Sequence, residues 1–423
     1  MVPNGWTVKT LNDVSRITRL AGAEYSDVWE TNSNGEIIAL RGFNIGNNEV
    51  NLRDVERITQ DMSLKLSRSK LYKKDIVFPC VGSIGKAYLV QEDNKFHINQ
   101  NIAKLTPSDT VEPLFLTYCL LSKACVNQIL KFNTSSSQPN VLVGNLRKFQ
   151  FAFPQDRKEQ RKIAQILSTW DKAIATTEKL IDTSKQQKKA LMQQLLTGKK
   201  RLVDPETGKA FEGEWEEVRL SALSIKGKGN FTDGDWIESP YIADSGCRLI
   251  QTGNIGVGCF KNKAKKYISE ASFVKLKCKE VKVNDLLICR LAEPAGRACV
   301  VPDIGERKML TSVDVTIMRV DKTKSSPEYL SYFFSLDHTL YTVTTLCGGS
   351  TRSRISRTNL GRMKIFLPAL NEQQKIAVVL SAADKEIELL EAKLAHLKQE
   401  KKALMQQLLT GKRRVQVAET EVA

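Results

Sequence analysis

The sequence is poor in the residues that carry metal and acid–base chemistry. Its three histidines, His97, His338 and His396, are scattered through 423 residues, so no histidine triad or histidine metal site is encoded. The nine cysteines (80, 119, 125, 247, 259, 278, 289, 299 and 347) are odd in number and form no CxxC pair. That excludes a zinc-ligand spacing and a disulfide framework and fits reduced thiols. No apolar run reaches the roughly 18 residues a spanning helix needs. No basic start followed by an apolar stretch marks a signal peptide, so a cytoplasmic location is expected.

Catalytic motifs are missing as well. A base-modifying methyltransferase needs an N/D-P-P-F/Y loop, but Pro79, Pro139, Pro240 and Pro294 sit in other contexts. GxSxG is absent. The nearest approach to a phosphate-binding GxxxxGK[ST] loop, Gly82 to Ala87, is two residues short and lacks the final hydroxyl, and so reads as a turn between strands. The chain is expected not to be an enzyme, and to hold no cofactor or metal of its own.

What the sequence does have is positive charge. Lys and Arg number 64 against 47 Asp and Glu, a formal charge of +17. An excess of that size favours a polyanionic partner, nucleic acid first.

An internal repeat sets the architecture. KKALMQQLLTGK occurs at Lys188–Lys199 and again at Lys401–Lys412, an offset of 401 − 188 = 213. EQRKIAQILSTWDKAI (Glu159–Ile174) matches EQQKIAVVLSAADKEI (Glu372–Ile387) at the same offset. A loop would tolerate insertions, whereas a constant length argues for one rigid element. In the second copy Ile376, Leu380, Ala383, Ile387, Leu390, Leu394, Leu397, Leu404 and Leu408 step by fours and threes, interrupted only by Lys401. The first copy runs from Ile163 through Leu167, Trp170, Ile174, Thr177, Ile181, Ser184 and Lys188 to Leu195. This is a heptad seam sustained for about five heptads. Pro154 and Pro368 precede the helices, and Gly198 and Gly411 end them. Some 40 residues at ~1.5 Å each reach about 60 Å. Two equal seams in one chain bury each other most simply as an intramolecular antiparallel coiled coil. Thr177 and Ser184 weaken the first seam and leave room for an outside partner. The exposed faces at Glu386, Glu388, Glu391 and Lys393 read either as solvated or as further docking surface.

The repeat continues more faintly outside the helices. Leu40 to Gly46 resembles Ile250 to Gly256, Lys74–Phe78 resembles Asn284–Ile288, Gly85–Ala87 matches Gly296–Ala298, and Gly144-Asn145-Leu146 lies opposite Thr358-Asn359-Leu360. Short β-branched runs (Asp75–Phe78, Lys86–Val90, Val313–Val320) and helical stretches near Pro113–Leu130 and Ser326–Leu336 give each globule a mixed composition. The expected fold class is α+β: two mixed α/β domains in tandem, each with a curved antiparallel sheet, separated by two long antiparallel coiled-coil helices. The boundaries read as 1–153 for the first domain, 154–198 for the first helix and 199–213 for a turn-rich linker. The second domain then spans 214–367, the second helix 368–412 and the tail 413–423. Two related but divergent globules suit a split, asymmetric DNA site.

These residues resemble the specificity subunit of a type I restriction-modification system. The resemblance rests on Ser135-Ser136-Ser137-Gln138-Pro139-Asn140, then Phe153-Pro154, then Glu159-Gln160. It recurs in Gly348-Gly349-Ser350-Thr351-Arg352, Leu367-Pro368 and Glu372-Gln373, with M-Q-Q-L-L-T-G-K closing each helix. It covers essentially the whole chain. It implies that each globule is a target-recognition domain reading half of a split sequence. It also implies that the helices space the domains and dock two methyltransferase subunits, with restriction-translocase subunits joining them. S-adenosylmethionine, ATP and Mg are then expected on the partner subunits. A free-standing two-domain DNA-binding regulator and a protein-assembly scaffold are the rival readings.

Base readout calls for Arg or Lys toward guanine and Asn or Gln toward adenine, and phosphate contact for Lys, Arg and hydroxyls. On loops at matching repeat positions, the first domain offers Arg41, Asn44, Lys73, Lys74, Ser83, Lys86, Gln138 and Asn140. The second offers Gln251, Asn254, Arg290, Arg297, Ser350, Arg352, Arg354 and Arg357. The densest signal is STRSRISR, Ser350–Arg357, and Arg352, Arg354 and Arg357 are expected to hold the second half-site. Asn44 and Asn254 read equally well as turn formers ahead of Gly, and Lys73 and Lys74 as solvated.

Overall fold

The two long helices form where the repeat predicts them. A computed structural model, describing residues 2–20, 22–133, 139–349 and 353–416, has one helix at Arg157–Leu195 and the other at Leu370–Leu408, each of 39 residues. Both ends obey the repeat offset, since 157 + 213 = 370 and 195 + 213 = 408. Gly198 and Gly411 follow at φ +71°, the left-handed conformation that ends a helix. A Cβ on Gly198 would stand 3.3 Å from the Trp215 ring, and one on Gly411 only 2.5 Å from Pro3 Cγ. Dihedral and packing therefore both demand glycine.

The chain forms two compact units, of which the first is built from two separate segments and the second from one. The first joins Met1–Glu178 to Ala392–Ala423, and the second is Lys179–Glu391. The cuts fall within the helices and keep the repeat offset (178 + 213 = 391). Each unit thus contains the first half of one helix and the second half of the other, running antiparallel. In the first unit Lys401 binds Asp171 and Lys398 reaches Glu178 at 2.7 Å. In the second Lys188 binds Asp384 and Lys185 reaches Glu391 at 2.6 Å.

The helices also seal the cores. Ile163, Leu167, Leu408 and Leu409 pack with Trp6, Phe115 and Phe153 in the first unit. Met192, Leu195, Ile376 and Leu380 pack with Leu220, Tyr329 and Leu330 in the second. A tyrosine clamps each globule to its helices. Tyr118 Oη donates to Asp171 at 2.6 Å and its ring lies 5.5 Å under Lys401 Nζ, while Tyr332 donates to Asp384 at 2.8 Å beneath Lys188. Burial, and then the neighbouring carboxylate, raise both phenol pKa values and keep the hydroxyls protonated as donors.

The two globules share one topology, apart from an added edge strand, Ile242–Ala243, in the third sheet of the second. In the first, Trp6–Thr10 pairs with Gln150–Pro154. A second sheet orders Ser15–Arg19, Ile102–Pro107, Ile76–Pro79 and Tyr88–Leu89 antiparallel. In the third, Ile37–Leu40 lies between antiparallel Glu56–Ile58 and parallel Phe96–Ile98. The second unit repeats this with Glu216–Arg219 and Lys364–Leu367. Its next sheet orders Phe231–Asp233, Val315–Met318, Leu286–Cys289 and Ala298–Val300, and its third is built on Cys247–Ile250, parallel to Met309–Thr311. The single curved antiparallel sheet expected per globule is corrected to three small sheets with one parallel pair. The strands are two to six residues long, cut short by Gly, Asn and Asp turns before one sheet can extend. The segment expected as a linker folds onto the second unit. Phe211 N donates to Leu202 O, and Arg201 holds Glu372.

Candidate nucleic-acid interface

The same corner of loops recurs in both units. Its first loop leaves the parallel-paired strand. In the first unit Ile37–Leu40 enters a tight turn at Gly42–Asn44, and the buried Asn44 side chain ties it. Asn44 Oδ1 accepts from Arg41 N at 2.9 Å, and Nδ2 donates to Asn51 O at 2.9 Å and Asp54 O at 2.8 Å. Asn254 ties the turn Thr252–Asn254 in the same way, accepting from Gln251 N at 2.9 Å and donating to Lys261 O and Lys263 O at 2.9 and 2.6 Å. The scaffold is the same, but the tips differ: Arg41 and Phe43 in one unit, Gln251 and Gly253 in the other.

The second loop connects Ile76–Pro79 to Tyr88–Leu89, or Leu286–Cys289 to Ala298–Val300, and the third runs beside it. Gly82 N donates to Pro139 O at 3.1 Å and Val141 N to Cys80 O at 2.9 Å. Their counterparts are Ala292 N to Ser353 O at 3.1 Å and Ile355 N to Arg290 O at 3.0 Å. The first and second loops are joined as well. Lys86 Nζ lies 3.0 Å from Asn47 Oδ1, and Arg297 donates to the Thr252 and Ile255 carbonyls. The structure therefore gathers Arg41, Asn44, Ser83, Lys86 and Asn140 at one corner. It gathers Gln251, Asn254, Arg290, Arg297 and Arg354, with Arg357 just beyond, at the other.

Four of these are corrected from candidate readers to scaffold. Asn44 and Asn254 are 1% and 2% exposed and spend their amides on backbone carbonyls. Arg290 is 3% exposed. It lies 3.0 Å from Asp233 and donates to the Ile355 and Val313 carbonyls, and burial lowers its pKa. Arg297 spreads its guanidinium over the carbonyls of Ile255, Leu291, Pro294 and Thr252.

Others are neutralised rather than buried. Arg41 stacks 4.3 Å over Phe43 and pairs with Asp54 at 2.9 Å and Glu56 at 3.0 Å, and Arg354 meets Asp314 at 3.1 Å. Arg357 is exposed, 3.9 Å from Asp233. Lys73 and Lys74 are exposed but belong to a different turn, held by Asp93 and Val90 O, and are not part of the corner. Gln138, Ser350 and Arg352 lie outside the described residues.

Beside each corner is a groove that the sequence reading missed. In the first unit a groove of about 670 Å³ runs between Thr10–Asn12 and the short helix Val143–Leu146, lined by Lys131, Arg147 and Lys148. In the second a groove of about 520 Å³ runs between Ser221–Ala222 and the helix Arg357–Arg362, lined by Lys226, Lys228, Lys324 and Arg357. Neither lining contains a carboxylate. Alternating lysine and glycine in Lys226-Gly227-Lys228-Gly229 is the signal that could have been read. It has no counterpart in the first repeat, so matching repeat positions do not reveal it.

Among the described residues no group of His, Cys, Asp and Glu could hold a metal ion, and no single helix is long and apolar enough to cross a membrane. Two units of one topology, each showing the same loop corner on a repeated helix pair, define a tandem-repeat chain with paired recognition surfaces. The sequence pattern of the type I restriction modification DNA specificity domain matches twice, at residues 3–185 and 213–399, and the chain belongs to that family. Its relatives are specificity subunits, the non-catalytic targeting components of type I restriction-modification systems.

A Methanocaldococcus jannaschii chain assigned as the MjaX type I restriction enzyme specificity subunit is 26% identical, covering 98% of this chain and 95% of its own. The EcoBI specificity subunit of Escherichia coli is 23% identical over 51% of this chain and 43% of its own. Among solved structures, the type I restriction-modification S subunit from M. genitalium superposes with a TM-score of 0.58 at 14% identity. The overlap covers 97% of this chain and 98% of that one. A chain from work on complex assembly and conformational transition of the type I R-M system gives 0.59 at 17% identity, covering 98% and 100%.

Proposed function

We propose that this chain addresses a type I restriction-modification complex to a bipartite, asymmetric DNA site. One unit reads each half-site, and the helix pair fixes the gap between the halves. The observation that carries this reading is the repeated loop corner: an identical asparagine-tied scaffold whose tips are Arg41 and Phe43 in one copy and Gln251 and Gly253 in the other. A common frame with different tips suits two half-sites of different sequence. The helices, with their charged outer faces, supply the docking surface for two methyltransferase subunits, which restriction-translocase subunits join. S-adenosylmethionine, ATP and Mg belong to those partners, and the assembly works in the cytoplasm.

Mapping methylated bases in the native host, with the gene intact and deleted, tests this. The expected result is a motif of two unlike half-sites separated by a constant number of unspecified bases, lost on deletion. An unchanged methylation pattern after deletion, or a single uninterrupted motif, contradicts it.

A further inference from the structure

The arginines nearest the loop corners are largely satisfied by the protein itself. Arg41, Arg290 and Arg354 face Asp54 and Glu56, Asp233, and Asp314. Unpaired positive charge lies in the two grooves beside them, although Lys324 and Arg357 of the second meet Asp321 at 3.3 Å and Asp233 at 3.9 Å. Lys131, Arg147 and Lys148 in one, and Lys226 and Lys228 in the other, are exposed and form no ion pair among the described residues.

We propose that these two acid-free grooves grip the DNA phosphate backbone, one on each half-site, as sequence-independent clamps. The inference rests on the DNA-reading function proposed above and names contacts that reading leaves open.

Three features support it. Each groove touches the short helix that directly follows the third loop of the corner, near the equivalent Asn12 and Ser221, though from different flanks: the helix Lys123–Phe132 walls the first, and the loop from Ser224 to Gly229 with Lys324 walls the second. A strand whose bases face the loops would bring its phosphates there. The residues are not equivalent, however. Lys131 comes from the helix Lys123–Phe132 and Lys148 from beyond the short helix, whereas Lys226 and Lys228 sit on a glycine-rich loop after the turn Leu220–Leu223. Both linings are basic although their cations come from different elements, as suits a contact that reads no base.

The second-unit loop is also preformed. Gly227 and Gly229 adopt φ +116° and +93°, Ser224 Oγ donates to Asn230 O at 2.8 Å, Ile225 N to Arg319 O at 2.9 Å and Asn230 Nδ2 to Lys226 O at 3.2 Å. Lysines held on an ordered loop lose less freedom on binding. The exposed hydroxyl of Ser221, also in the lining, suits a phosphate oxygen.

The test uses the full chain with its co-purifying partners, titrated onto a cognate duplex and a scrambled duplex over a range of KCl concentrations. The variants are the pairs Lys226→Ala with Lys228→Ala, and Lys131→Ala with Lys148→Ala. Each pair is expected to weaken both duplexes alike by about tenfold and to lower the salt slope by about 2, leaving the preference between them intact. Lysine-to-arginine pairs should restore binding. Unchanged affinity and slope, loss confined to the cognate duplex, or loss of the co-purifying proteins would each overturn the clamp, the last marking a protein-docking surface instead. If the wild-type assembly binds neither duplex, the DNA reading itself fails, and that outcome is seen before any variant is made.

Discussion

Arg414 grips the carboxylate of Glu159 with two parallel hydrogen bonds, Nε to Oε1 at 2.7 Å and Nη2 to Oε2 at 2.8 Å. Arg201 and Glu372 repeat the grip at 2.7 and 2.6 Å, and the offset is the same for both partners (201 + 213 = 414; 159 + 213 = 372). In each unit the segment following one long helix thus fastens onto the start of the other. Glu159 and Glu372 have buried side chains, so removing either arginine strands a carboxylate. Arg414→Ala and Arg201→Ala are each expected to cost about 1–3 kcal/mol, toward the lower end for the half-exposed Arg414. The pairs share no residue, so the double variant should be additive. Denaturant unfolding checks both statements.

Asn44 and Asn254 separate scaffold from reader. Asn44→Ala leaves the Arg41 N–H and the Asn51 and Asp54 carbonyls without their partner. A loss of about 2–3 kcal/mol is expected, and the same for Asn254→Ala. The folded fraction of each variant should keep the wild-type preference between cognate and scrambled duplexes. A variant of full stability and altered base preference would make these residues readers after all.

Arg357 is the described member of the serine-arginine run with the loosest tie, 3.9 Å from Asp233 and exposed. Arg357→Ala is expected to weaken duplex binding by about 1–3 kcal/mol with little loss of stability. The effect should be carried by the half-site assigned to the second unit. Titrating duplexes in which one half-site at a time is scrambled tests this. Equal losses whichever half is scrambled would move Arg357 into the phosphate-clamp class.

The parts legible in the sequence were those fixed by local, repeated chemistry. The helix bounds follow from an ungapped repeat, and Gly198 and Gly411 punctuate both copies where a left-handed residue is required. What was not legible depends on partners distant in sequence. Arg290 looks like a guanine reader until Asp233 and the Ile355 carbonyl arrive beside it, and Arg297 until four carbonyls converge on its guanidinium. A sequence shows which side chains can donate, not which are already engaged. The paired asparagines were found as a repeat, yet their meaning turned on burial. The Lys226 and Lys228 loop has no repeat partner, so the repeat does not single it out.

The central claim is that the helix pair sets the gap between two independently read half-sites. The most direct test adds four residues to each long helix at the equivalent positions after Glu178 and Glu391, where both antiparallel partners lengthen together. The methylated motif is then mapped in a host carrying only this variant. Four helical residues add about 6 Å, and the preferred spacer should grow by one or two base pairs with both half-sites unchanged. A stably folded, active variant that methylates the original motif with its original spacer would contradict the account.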